Sequence, residues 1–197
     1  MVLLSLAAFV CQIAGMPKRM FVAIDLPAQV AESLARLDPQ LPGLRWLGAS
    51  QLHLTLCFIA AVAEDLEARL IAELAAVCVP PFPLALKGLD CFARIRQPAV
   101  VWVGVESALP SLFRLQSQVR DAVFAAGLTP HKKPFRPHIT VARCKGLADD
   151  ALRPWLARYV RTGLGTFAVC GFTLYSSTLH PRGPEHLAVF RRDFGPA

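Results

Sequence analysis

His53-Leu54-Thr55-Leu56 and, far downstream, His138-Ile139-Thr140-Val141 repeat one pattern of histidine, apolar residue, threonine, apolar residue. Side chains two apart on a strand share a face, and those between them point the other way. Each tetrapeptide, read as a strand, sets an imidazole and a hydroxyl together. Leu52, Leu54 and Leu56, like Ile139 and Val141, then go to the core and hold the polar face rigid. A shuffled chain of this composition would carry two such matches roughly one time in a thousand, so the repeat is informative. If the two strands lie side by side or are related by pseudo-symmetry, two histidines and two threonines converge on one pocket.

Outward from these strands the chain alternates short β-like and amphipathic helical runs, which predicts an α+β domain. A strand is expected over Met20–Ile24 and a helix from Pro27 to Leu37, stopped by Asp38-Pro39. Arg45 to Leu47 leads toward a strand over Leu52–Ile59. Glu64 to Val77 reads as a helix with acids in its first turn and Leu66, Leu70, Leu74 and Val77 on one face. Strands over Leu84–Phe92 and Val100–Val105 form a hairpin around a turn at Arg94–Pro98. A third helix covers Leu109–Ala126, with Gly127 as its left-handed cap. A helix near Asp149–Tyr159 and strands near Phe167–Tyr175 and His186–Arg192 complete the chain. The short connections predict one unit.

Composition bounds the chemistry. The 197 residues are 54% hydrophobic, enough for a substantial core, and 21 Lys+Arg against 14 Asp+Glu give a positive field suited to an anionic partner such as RNA. The six cysteines are scattered without a C-x-x-C pair and read as reduced core residues. The five histidines have no thiol or carboxylate neighbours at ligand spacing, so no metal and no cofactor is implied. Residues 1–15 are apolar but shorter than the roughly 20 needed to span a bilayer. Lys18 and Arg19 follow that stretch, whereas a signal peptide carries its charges first. Met16 and Met20 stand just before the first strand, which favours a start placed too far upstream. The expectation is an extension over 1–15, one two-lobed domain over 16–197, a cytoplasmic location, no membrane and a monomer.

Paired imidazoles suit phosphodiester chemistry: one takes a proton from water while the other gives one to the leaving sugar oxygen. Threonine hydroxyls supply neutral donors to the non-bridging oxygens. The segment His131-Lys132-Lys133-Pro134-Phe135-Arg136 offers Lys132, Lys133 and Arg136 for upstream phosphates. Phe58, Trp46 and Phe135 are candidates to stack on a base, with Phe58 preferred. His180 and His186 lie by a turn and read as surface residues.

These residues resemble the two H-x-T-x motifs of the two-histidine (2H) phosphoesterases, specifically the LigT-like RNA 2',3'-cyclic phosphodiesterases formerly called 2'-5' RNA ligases. Arg19 to Pro27, Arg45-Trp46, Lys133 to Arg143 and Leu174-Tyr175-Ser176-Ser177 are similar to that family too. The resemblance implies a two-lobed pseudo-symmetric fold whose antiparallel sheets line a central cleft with helices outside. It implies hydrolysis of an RNA 2',3'-cyclic phosphate to a 2'-phosphomonoester, with reversible 2'-5' joining. It implies His53 as proton donor, His138 as proton acceptor, and Arg143 near the phosphate with Thr55 and Thr140. Strict alternation nevertheless puts Arg143 on the face opposite His138, unless a bulge redirects it. The competing expectations are an RNA- or nucleotide-binding module without turnover, and a phosphodiesterase for a small cyclic nucleotide.

Overall fold

The computed structural model describes residues 17–94, 97–106, 110–147, 149–180 and 183–195. The extension over 1–15 lies outside them. The elements begin with β1 (Lys18–Asp25), α1 (Ala28–Ala35), β2 (Leu44–Trp46), a 3-10 turn at Ala49–Gln51, β3 (His53–Val62) and α2 (Glu64–Ala75). There follow β4 (Phe82–Arg94), β5 (Gln97–Val105), α3 (Pro110–Ala125), β6 (His138–Cys144) and α4 (Asp149–Ala157). The last three strands are β7 (Gly163–Val169), β8 (Gly171–His180) and β9 (Gly183–Asp193).

These strands join one antiparallel sheet in the order β7-β4-β5-β6-β3-β1-β8-β9, with β2 pairing β6 off that path. The two motif strands are therefore adjacent at its middle. They meet at Leu54 opposite Ile139, each 0% exposed. The expected α+β architecture is what forms, and the halves β7-β4-β5-β6 and β3-β1-β8-β9 join at the motifs.

The helices bury one stripe each, as their periodicity dictates. Leu70 and Leu74 of α2 and Leu112, Leu115, Val119, Ala122 and Val123 of α3 are buried, and the two helices pack on each other while α3 also rests on β3. Those side chains share a single core with Leu52, Leu54, Leu56, Ile139 and Val141. With the motifs' apolar residues committed to that layer, their polar residues are left to the other face of the sheet. Gly127, at φ 84°, caps α3 as expected, its amide and that of Leu128 reaching the Phe124 and Val123 carbonyls.

Two expectations need correction. Phe167–Tyr175 is not one strand: β7 ends at Val169 and pairs with β4, whereas β8 starts at Gly171 and pairs with β1. Gly171 opens β8 at a point where an added Cβ would collide with the Arg192 carbonyl oxygen. Gln97 and Pro98 are strand residues, opposite Arg94 and Ala93, so the hairpin is tighter than the turn-forming composition suggests.

Candidate active site

Each motif histidine opens its strand and is fixed by the same local contact. His53 Nδ1 donates to the Gln51 carbonyl at 2.9 Å, and His138 Nδ1 to the Arg136 carbonyl at 2.6 Å. A carbonyl can only accept, so both rings carry their proton on Nδ1 and leave Nε2 for chemistry. Because Leu54 faces Ile139 in an antiparallel sense, His53 stands across from Thr140 and Thr55 from His138. All four side chains are half-buried.

Both motif strands then contain a bulge at the same place. Along β1 the partners step from Cys57 to Thr55, leaving Leu56 extra, and along β5 they step from Ala142 to Thr140, leaving Val141 extra. A bulge reverses the alternation beyond it. Leu56 and Cys57 are accordingly both buried, as are Val141 and Ala142, and the next residues, Phe58 and Arg143, return exposed to the histidine face. Arg143 thus lies on the cleft side, against the expectation from strict alternation. Its positive charge helps lower the pKa values of His53 and His186.

His53 stacks on Phe21 at 4.9 Å between ring centroids. His186 stands edge-on to both rings, 5.7 Å from His53 and 4.9 Å from Phe21. The turn-forming residues beside His186 point to a surface position. Instead, β8 and β9 pair Ser177 with His186 and bring it over the first motif, with its Nδ1 buried and without a hydrogen-bond partner. Burial pushes the His53 pKa down to about 4; His186 and Arg143 add to that effect, while the Gln51 carbonyl and Asp25 oppose it. His186 is also lowered, by burial and then by Arg143. His138 has a different setting, edge-on to Phe92 at 5.1 Å and near Trp102 at 6.1 Å.

The remaining candidates separate clearly. Phe58 is 53% exposed beside Phe21, and its carbonyl accepts the His131 amide at 3.0 Å. That bond pins the basic loop beside β3, with Lys132, Lys133 and Arg136 exposed along the run to His138. Trp46 is a packing residue, its indole donating to the Leu34 carbonyl and its ring edge-on to Trp155. Phe135 packs on Phe113. His180 is exposed and paired with Glu185 at 3.2 Å. Cys57 has its thiol pKa pushed up to about 11 by burial, which makes it inert. Among the described residues, no group of three or more His, Cys, Asp or Glu side chains is arranged to hold a metal ion. No described helix is long and apolar enough to cross a membrane.

Relatives carry this frame. A protein of Escherichia coli (strain K12) named RNA 2',3'-cyclic phosphodiesterase is 32% identical over 183 residues, 89% of this chain and 96% of that one. One of the same name from Aeropyrum pernix is 34% identical over 139 residues, covering 70% of this chain and 79% of its own. The crystal structure of E. coli LigT in apo form superposes with a TM-score of 0.74 at 28% identity, covering 91% of this chain and 99% of that one. A family model described as the 2'-5' RNA ligase superfamily matches residues 26–180, and the chain belongs to that family.

Proposed function

We propose that this chain is an RNA 2',3'-cyclic phosphodiesterase that opens the terminal cyclic phosphate to a 2'-phosphomonoester with two histidines and no metal. The observation that carries the reading is the meeting of the two His-x-Thr strands at Leu54 and Ile139, with both imidazoles tied through Nδ1. Relatives named for this activity support it.

In the proposed reaction His138 Nε2 takes a proton from water as its oxygen bonds to phosphorus. The bond from phosphorus to O3' breaks, and O3' receives a proton from His53 Nε2. Thr55 and Thr140 donate to the non-bridging oxygens, and Arg143 balances the charge that grows there. His53 is neutral at rest because it is buried, so it takes up its proton together with the phosphodiester, whose negative charge favours the imidazolium. Joining of a 2'-phosphate end to give a 2'-5' linkage is the same path reversed. Lys132, Lys133 and Arg136 hold upstream phosphates, and Phe58 stacks on a base. The protein works in the cytoplasm in this reading, in keeping with free thiols at Cys57, Cys78, Cys144 and Cys170.

The test is to incubate the protein, in EDTA, with a short RNA ending in a 2',3'-cyclic phosphate and to identify the product. A 2'-phosphate is expected. An intact cyclic end, a 3'-phosphate product or a requirement for metal overturns the reading.

A further inference from the structure

A cavity of about 200 Å³ opens beside His53 on the side away from His138, among β1, β8, β9 and the turn before β3. Its polar wall is made by Asp25, Ser50, Tyr175 and His186, and Phe21 lines it as well. The hydrogen bonding of that wall is already directed. Thr173 Oγ1 and Tyr175 Oη each donate to one carboxylate oxygen of Asp25, both at 2.6 Å. Tyr175 has therefore spent its only donor and shows the cavity lone pairs, and the Asp25 oxygens have lone pairs left. Burial, followed by the bond to Asp25, pushes the Tyr175 pKa up to about 12, so the phenol stays protonated and keeps that direction. His186 is lowered by burial and adds no positive charge at neutral pH.

The wall is thus rich in acceptors and carries a negative charge, while Arg143 supplies positive charge on the other strand of the motif pair. A phosphate is repelled from the Asp25 side and drawn to the Arg143 side. What the cavity suits is a flat group of modest size that brings a neutral N–H donor to Asp25 and Tyr175.

We infer that this cavity is a subsite for the base of the terminal nucleotide, and that Asp25 and Tyr175 determine specificity by accepting from an exocyclic amino group. The inference rests on the phosphodiesterase reading, which places the leaving O3', and with it the terminal ribose, at His53. An acceptor-lined site rejects an analogue that lacks the donor, because its buried lone pairs then go unpaired.

The test compares cytidine 2',3'-cyclic phosphate with the analogue carrying hydrogen in place of the 4-amino group. The wild type should prefer cytidine about tenfold in kcat/KM, the size of one hydrogen bond to a charged acceptor. The preference should fall to near one in Asp25→Asn and in Tyr175→Phe, the second variant serving if the first does not fold. Binding of the two corresponding 2'-monophosphates by calorimetry reads the same ratio without turnover. If neither cyclic phosphate is hydrolysed, the phosphodiesterase reading fails and the calorimetric ratio still decides the subsite. A wild-type ratio within about twofold of one, or a preference that survives both substitutions, overturns the inference.

Discussion

Leu54 and Ile139, both fully buried, face each other across the seam where the two motif strands pair. They set the separation of His53 and His138 from beneath. Truncating either one removes packing directly under the site. Leu54→Ala should destabilise the fold by about 3 kcal/mol in denaturant unfolding. It should also cost more activity than an equally destabilising truncation remote from the seam, such as Leu84→Ala. Equal residual activity in the two variants would mean that the seam does not position the histidines.

The bulge at Val141 is what turns Arg143 toward the cleft. Arg143→Ala should lower kcat/KM by about 100-fold, in line with loss of a charged contact to the reacting phosphate. Deleting Val141 removes the extra residue and leaves Arg143 two positions after Thr140 on the same face, so the Arg143 contribution should survive the deletion. Activity that is indifferent to Arg143→Ala would take the residue out of the site.

His53 titrates at about 4 because it is buried between Phe21 and His186. Imidazole NMR of the free protein should therefore place His53 near pH 4 instead of near 6.5. Stability follows with a definite sign. The unfolded chain binds this proton near pH 6.5 and the folded one only near 4, so the contribution is complete above 6.5 and is lost as pH falls toward 4. Its size is on the order of 3 kcal/mol. An unshifted His53 resonance would contradict both expectations.

Gly171 divides β7 from β8 at a point where any Cβ meets the Arg192 carbonyl. Gly171→Ala should lower stability by about 2 kcal/mol through overpacking, as measured by thermal or denaturant unfolding. A neutral substitution would show that the β8–β9 pairing there tolerates a side chain.

The motif faces were legible because a period of two fixes them: Leu54, Leu56, Ile139 and Val141 could only go inward if His53 and His138 went outward. The α3 cap was legible because Gly127 has the residue chemistry its left-handed conformation requires. For Arg143 the same period left two answers, the far face by strict alternation or the histidine face through a bulge, and nothing in Thr140-Val141-Ala142 announces the bulge that decides it, since no glycine or proline is there. His186 was missed for a topological reason. Its neighbours Phe21 and His53 come from the other end of the chain, and only the hairpin register from His180 opposite Gly183 to Ser177 opposite His186 carries it over β1. That register, counted back from the turn, was the one available signal.

The proposed reaction makes His53 and His138 one acid-base unit. Its most direct test measures kcat/KM on an RNA 2',3'-cyclic phosphate end, in EDTA, for His53→Ala, His138→Ala and the double variant. Residues acting as a unit are strongly non-additive. Each single substitution should therefore cost about 1000-fold or more, and the double variant little beyond the worse single one. Either single variant retaining more than about a tenth of wild-type activity, or losses that simply multiply in the double variant, would contradict the account.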